Sequence, residues 1–284
     1  MNNYNKIINK RDYKYTIFHY NKYKVKVWYK SDFTVNNIES LTFNILNKKV
    51  PSNTLHDIRN KIQLICSDNF DFINQDIVVK HFCLGRKYDQ LRFRFLNSKA
   101  FRSINMAIKM KEVGINTPEP LMAVEFRGKL NKLVRSFYIS AYVDYDYNLL
   151  TIIRDNSHPL RNKIIEFLPQ IAKDIRKMHD TGIIHNDMHA GNILLKNIEK
   201  EPDFYYIDLN RAREKKGLSL KVRMKDLARF DLTEKEMKVF LKNYAVKGSK
   251  CNRYLRELKR QRNRKVKINE TKKLFRSILN KEIS

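Results

Sequence analysis

The sequence predicts an α+β chain in two parts, a small β-rich part over residues 1–143 and a larger, mainly helical part over 144–284. Three observations predict it. Up to about Asp144, apolar residues mostly alternate with polar ones, the two-residue period of a half-buried strand. Beyond it they recur three and four residues apart, the period of a helix face. Finally, 42% of the 284 residues are apolar, enough for a sizeable core, while only 7 Gly and 6 Pro are present, too few for a linker-rich or fibrous chain.

Taken in order, Tyr15-Thr16-Ile17-Phe18 and Val25-Lys26-Val27-Trp28 alternate on either side of Asn21-Lys22, the pattern of a hairpin. Residues 31–58 give no clear period. Ile62, Leu64 and Cys66 alternate, and Ile77-Val78-Val79-Lys80 follows a polar stretch; these read as two paired strands. From Ser98 to Glu112 the period changes, with Ala100, Phe101, Ile104, Ala107 and Ile108 on one helical face. Gly114 stops that helix, and Thr117-Pro118-Glu119-Pro120 forbids its continuation. Leu121 to Phe126 and Leu133 to Tyr142 read as strands joined near Gly128. Past residue 147, Ile164, Leu168, Ile171, Ala172, Ile175 and Met178 share one face of a long helix that Thr181-Gly182 closes. Ile193-Leu194-Leu195 and Tyr205-Tyr206-Ile207 are short apolar runs flanking a turn at Glu201-Pro202-Asp203, and residues 220–284 are mostly helical and strongly basic.

The formal net charge is +28. It points to a polyanionic partner: nucleic acid, an anionic membrane surface or a phosphorylated substrate. The competing account is a compositional bias toward Lys, Asn and Ile. The cysteines, Cys66, Cys83 and Cys251, are odd in number and contain no C-x-x-C, which argues against a disulfide framework or zinc ribbon and fits a reducing cytosol. Met1 to Lys10 is polar without an apolar core, so no signal peptide is expected, and no apolar run reaches the length of a membrane span.

The densest chemical signal is His185-Asn186-Asp187-Met188-His189-Ala190-Gly191-Asn192. Downstream, Tyr206-Ile207-Asp208-Leu209 puts a carboxylate at the end of an apolar strand; upstream, Val78-Val79-Lys80 puts an ammonium on one. Phosphoryl transfer needs these groups: a carboxylate to accept or orient the proton of the attacking hydroxyl, an amide oxygen and a second carboxylate to hold Mg²⁺, and a lysine to neutralise phosphate charge. The spacing from Asp187 to Asn192 equals that of the protein-kinase catalytic loop. Asp187 is therefore read as the catalytic base, Asn192 and Asp208 as metal ligands and Lys80 as the ATP phosphate clamp, with His185 and His189 as candidate phosphate or substrate contacts. The i, i+4 spacing of these histidines also matches zinc ligands, but Asn186 stands where the metalloprotease pattern needs Glu.

On these residues the chain resembles the lipopolysaccharide-core kinases of the Kdo-kinase and heptose-kinase type, over roughly residues 59 to 230. The resemblance also rests on Asp76 to Phe82, Ser98 to Ser103, Gly114-Ile115-Asn116-Thr117-Pro118-Glu119-Pro120, Ile207-Asp208-Leu209-Asn210-Arg211 and Lys225-Asp226-Leu227. It implies a bilobal protein-kinase-like fold. It implies transfer of the ATP γ-phosphate to a sugar hydroxyl, on Kdo or heptose, of a lipopolysaccharide precursor such as Kdo-lipid A, by a cytoplasmic enzyme peripheral on the inner membrane face. Asp226 resembles the helix carboxylate that braces a kinase catalytic loop, Arg211 is placed to face phosphates or acceptor, and Arg59-Asn60 is given a loop role by position. Two departures stand out. No glycine precedes Gly85, so phosphates need other backbone amides, for which Ser67 to Asn74 is the candidate. No helix Glu is evident to pair with Lys80, since Ser103 or Asn105 occupies the expected positions.

Two alternatives stay open. One is a RIO-like or small-molecule kinase, whose basic tail would meet RNA phosphates; the T-P-E-P and I-D-L-N-R segments argue against it. The other is a catalytically weak pseudokinase scaffold binding anionic lipid or RNA, favoured by the missing glycine loop and opposed by intact Lys80, Asp187, Asn192 and Asp208.

Overall fold

The structure, a computed structural model, describes residues 12–57, 60–84, 87–245 and 251–281. The chain divides into two compact units. The first holds the residues up to Asp144 together with Asp208–Arg211; the second holds Tyr145–Ile207 and the residues from Ala212 onward.

In the first unit the elements run β1 (Tyr13–Tyr20), β2 (Tyr23–Lys30), α1 (Val35–Leu46), β3 (Asn53–Asp57), β4 (Lys61–Ile65), β5 (Ile77–His81), α2 (Lys87–Phe95), α3 (Lys99–Glu112), β6 (Pro120–Arg127) and β7 (Leu133–Ala141). Seven strands form one antiparallel sheet in the order β1-β2-β6-β7-β5-β4-β3. The hairpin read from the alternation is β1–β2, closed by Asn21-Lys22 with Asn21 at φ 52, a left-handed conformation that Asn tolerates.

Strand alternation puts two apolar layers on this sheet. Val25, Val27, Ile77, Val79, Val124 and Ile139 face the layer that holds Ile38, Leu41 and Ile45 of α1. Trp28 and Ala123 face the opposite layer, against Phe101, Ile104 and Ile108 of α3, with the Trp28 and Phe101 ring centroids 4.0 Å apart. The sheet is covered on both faces. Helix α1 lies in the stretch without a clear period: Thr34 caps it through a capping box with Asn37, an unusual N3 residue. Helix α3 is capped by the Ser98 hydroxyl, which accepts from the Phe101 N–H at 3.1 Å. It ends where Gly114 takes φ 65 and the Ile115 N–H donates to the Met110 carbonyl, a Schellman closure.

One charged pair is buried in this unit. Arg127 donates to Glu125 at 2.6 Å, with both side chains almost fully excluded from solvent. The second Glu125 oxygen accepts the Ser98 N–H at the start of α3, and Arg127 also donates to the Phe93 carbonyl at the end of α2. The pair is tolerated because each polar group is satisfied, and it ties both helices to β6.

The second unit runs β8 (Tyr147–Asn148), α4 (Leu149–Arg154), α5 (Ile164–Asp180), β9 (Ile183–Ile184), β10 (Ile193–Lys196), β11 (Asp203–Tyr206), β12 (Arg213–Glu214), α6 (Leu220–Leu227), α7 (Glu234–Tyr244) and α8 (Cys251–Lys281). Its strands form a three-stranded sheet, β11-β10-β8, and the pair β12-β9. The α5 face predicted from Ile164, Leu168, Ile171, Ala172, Ile175 and Met178 is buried throughout. Among the described residues no helix is long and apolar enough to cross a membrane. The polar N-terminal stretch Met1 to Lys10, Arg59 and Gly85 lie outside the described residues.

Candidate active site

In the first unit, Lys80 sits on β5 between β4 and β7, opposite Ile62 and Tyr138. Ile77 and Val79 point into the core, so Lys80 takes the other face of the strand. Its ammonium donates to Asp208 Oδ1 at 2.7 Å. Asp208 takes φ 60, and the turn it opens, Leu209–Arg211, packs on α3 with Leu209 buried. Asn210 Nδ2 also donates to Asp208 Oδ1. Lys80 thus has a carboxylate partner, supplied by Asp208 and not by a helix; Ser103 on α3 spends its hydroxyl on the Lys99 carbonyl. Arg211 is exposed at the end of the turn that carries Asp208.

In the segment Ser67 to Asn74, expected to supply phosphate-binding amides, four of the eight amides are already engaged. The Ser67 N–H donates to Asp76 Oδ1 at 2.9 Å, and those of Asn69, Phe70 and Ile73 donate to carbonyls of the same turn. These four amides hold the local structure. Asn60 accepts the Cys83 N–H through its side chain at 3.4 Å.

In the second unit, Gly182 at φ 85 turns the chain out of α5. A Cβ there would lie 2.4 Å from the Lys215 carbonyl oxygen, so a side chain is excluded. After β9 the chain enters the 185–192 loop, where Asn186 takes φ 61; His185 and His189 do not share a helix. Asp226 on α6 holds this loop. Its carboxylate accepts the His185 N–H at 3.0 Å and the Asn186 N–H at 2.7 Å. It also lies 3.2 Å from His179 Nε2. A carboxylate only accepts, so His179 Nε2 is the donor, and His179 Nδ1 lies 2.6 Å from the Tyr244 hydroxyl. A hydrogen-bonded line therefore runs from α7 through α5 to α6 and the loop. Burial pushes the Tyr244 phenol up, with the Arg223 guanidinium opposing.

Ile207 is clamped at both ends: its N–H donates to the Asn192 carbonyl at 3.0 Å and its carbonyl accepts His185 Nε2 at 2.9 Å. His185 is 1% exposed. The expectation of a phosphate or substrate contact at His185 is thus corrected: the ring anchors the residue that precedes Asp208. Asn192 Nδ2 donates to the Asp187 carbonyl at 2.9 Å, which directs its Oδ1 away from that bond. The His189 ring lies over Gly191, where an added Cβ would meet it at 3.0 Å.

Asp187 Oδ1 accepts from Arg229 Nη1; the two side chains are 13% and 41% exposed, Asp187 first. Lys265 on α8 feels the same charges. Burial pushes its ammonium down from the ordinary lysine value, Arg229 and Arg262 add to that, and Asp187 and Asp231 oppose it. Sequence reasoning missed Arg229, His179 and Lys265. Arg229 stands three residues after Asp226, in the turn that follows α6.

Within the units, then, Lys80, Asp208 and Arg211 belong to one group, and His185, Asp187, His189, Asn192 and Asp226 to the other. These define an α+β chain of protein-kinase-like fold with the residue types of a phosphoryl-transfer loop. The chain matches the Lipopolysaccharide kinase (Kdo/WaaP) family over residues 75–244, and it belongs to that family. It is similar to a 3-deoxy-D-manno-octulosonic acid kinase of Haemophilus influenzae, 27% identical over 153 residues, 52% of this chain and 61% of that protein. A protein of the same description from Actinobacillus succinogenes is 25% identical over 197 residues, 61% of this chain and 77% of that one. The chain thus spans about three fifths of the length of the Haemophilus relative. Among solved structures, WaaP in complex with acyl carrier protein matches with a TM-score of 0.56 and 20% identity over 78% of this chain and 91% of that one, a likeness of fold.

Proposed function

We propose that this protein is a kinase that transfers the γ-phosphate of ATP to a sugar hydroxyl, on Kdo or heptose, of the lipopolysaccharide inner core. The observation that carries the reading is the pairing of Lys80 with Asp208 at 2.7 Å across 128 residues of sequence, a strand ammonium and a carboxylate of the types that handle phosphate and metal. Membership of the family and the names of the similar proteins support the acceptor class.

In this reading Asp187 orients the acceptor hydroxyl and takes its proton. Lys80 offsets phosphate charge, and Arg211 and His189 are candidate contacts to phosphates or acceptor. Asp226 fixes the loop that carries Asp187, through the amides of His185 and Asn186. Asn192 and Asp208 present a carbonyl-type oxygen and a carboxylate, the hard donors Mg²⁺ selects, and the committed Asn192 nitrogen leaves its oxygen for that use. Mg²⁺, when bound with ATP, supplies charge neutralisation at the phosphates.

The protein would work from the cytoplasmic face of the inner membrane, on its surface. A groove of about 610 Å³ is lined by Lys221 of α6 and by Arg256, Lys259, Arg260, Arg264 and Lys267 of α8. Such a surface favours anionic headgroups, each cation near the bilayer contributing about 1 kcal/mol.

The test is Mg-ATP consumption by the purified protein with and without Kdo-lipid A, beside Asp187→Ala. Turnover that needs the lipid and disappears in the variant is expected. ATP binding without turnover would move the acceptor elsewhere, and absence of ATP binding would overturn the kinase reading.

A further inference from the structure

At one corner of the first unit, the end of α2 lies beside the turn that joins β6 to β7. Asn131 Nδ2 donates to the Arg94 carbonyl at 2.6 Å, and Arg127 donates to the carbonyls of both Phe93 and Asn131. Phe93 and Leu133 are buried behind these bonds, but their apolar neighbours turn outward. Phe95 is 81% exposed and Leu130 80%, and Leu91 and Leu96 are exposed as well. Leu91 and Phe95 stand four apart, on one face of α2. The turn adds a second observation. The Lys132 N–H donates to the Lys129 carbonyl at 3.1 Å, and the two residues between, Leu130 and Asn131, take φ 52 and 58. Two successive left-handed residues favour Asn and Gly. A leucine there is strained, and in water its exposed side chain brings nothing in return. The charge around it has one sign. Residues 91–97 and 128–135 hold five Lys or Arg and no Asp or Glu, and Arg92, Lys129 and Lys132 are exposed beside the apolar tips.

We propose that Phe95 and Leu130 form an insertion tip that enters the interfacial layer of an anionic bilayer, with Arg92, Lys129 and Lys132 held at its headgroups. This site is separate from the basic groove of the second unit, whose lining is charged or amide side chains throughout, and it depends neither on the acceptor nor on phosphoryl transfer. The combination of features selects the occupant. Apolar side chains that project among cations of one sign, with no groove between them, suit a surface that is negative at headgroup depth and apolar beneath. Such a surface deforms around the tip and needs no matching shape. The apolar stems of Lys and Arg let their charges stay at the headgroups while Phe95 and Leu130 go deeper, within the roughly 5–10 Å that interfacial segments reach. The two sites differ in physics. A groove of cations adsorbs by charge, and salt releases it. The tip holds by burial of apolar surface, which salt does not weaken.

The full chain is sedimented with vesicles of phosphatidylethanolamine and phosphatidylglycerol in equal parts, and with neutral phosphatidylcholine vesicles. Phe95→Ser and Leu130→Gly should each weaken binding to the anionic vesicles roughly tenfold, and the double variant roughly a hundredfold, as expected for apolar side chains that leave water. The ratio of wild type to variant should persist at high salt. Glycine takes the left-handed conformation of residue 130 without strain, so Leu130→Gly should unfold no more easily than wild type, and its loss of binding is not a folding defect. Insertion is read directly in Phe95→Trp. The native Trp28 is buried and gives a constant background, so an emission shift to the blue and quenching by brominated lipid report the tip. Wild type that ignores anionic vesicles, or binds neutral ones as well, would overturn the proposal. So would a double variant that binds like wild type, or a Trp at position 95 that brominated lipid leaves unquenched on bound protein. Self-association of wild type that the double variant abolishes, without a change in vesicle binding, would assign the patch to a second copy of the chain and also overturn it.

Discussion

Replacing Asp226 tests how the catalytic loop is held. The carboxylate is buried and receives three donors: the His185 N–H at 3.0 Å, the Asn186 N–H at 2.7 Å and His179 Nε2 at 3.2 Å. In Asp226→Ala all three lose their acceptor. Asn186 is exposed, so water can take its N–H, but His185 and His179 are buried and their donors stay unmet. An unmet buried donor costs about 1–3 kcal/mol, and loss of a charged acceptor lies at the upper end, so the variant should lose roughly 3–5 kcal/mol. Asp226→Asn keeps one oxygen and should lose about half as much. Guanidinium unfolding of the full chain measures both, and amide exchange localises the effect, with faster exchange at His185 and Asn186. A loss below about 1 kcal/mol in the Ala variant, with unchanged exchange at those two amides, would refute the reasoning.

Further outcomes follow from other residues. Asp187→Ala should lower kcat by roughly 10²–10⁴-fold with an unchanged circular-dichroism spectrum; near-normal turnover would remove Asp187 from the chemistry. His81 is pushed down to about 4 by burial, with Lys61 and Arg135 adding to it, and its Nε2 has no hydrogen-bond partner. The unfolded chain therefore binds more protons between about pH 4 and 6.5, so the stability from neutral His81 is complete above pH 6.5 and is lost as pH falls toward 4. The loss should be of order 1–3 kcal/mol, and unfolding curves of His81→Phe should lack that share of the pH slope. Reversing Arg256, Arg260 and Arg264 to Glu should weaken sedimentation with anionic phosphatidylglycerol vesicles by at least roughly a hundredfold at low salt, at about 1 kcal/mol per cation removed. Unchanged binding would take that surface away from the membrane.

Much of the fold was legible because the sheet of the first unit announces itself by alternation and α3 and α5 by long apolar faces with clear stops. Helix α1 was not. Its face is built from Ile38, Leu41 and Ile45 amid Asn and Thr, and its capping box uses Asn37 where Glu or Gln is usual. Helix α2 escaped for a different reason: Arg92 and Arg94 flank Phe93, the residue it buries, so no apolar stripe forms. At the site, spacing identified the residues of the Asp187 loop but not their surroundings. The partner of Lys80 lies 128 residues away, a pairing that only the tertiary structure creates. His185, beside a catalytic-type carboxylate, reads in sequence as a ligand contact; its burial against Ile207 is invisible there. Arg229 lies in the turn after α6, where spacing gives no sign of its partner.

The grouping of Asp208–Arg211 with the residues before Asp144 has a consequence for how this protein can be divided. The first unit is not a continuous stretch of the gene. A fragment ending at Asp144 would carry Lys80 without its carboxylate and α3 without the turn that covers it. Four residues from far downstream complete that unit, so a ribosome must pass residue 211, well into the second half of the chain, before the first half has all its parts.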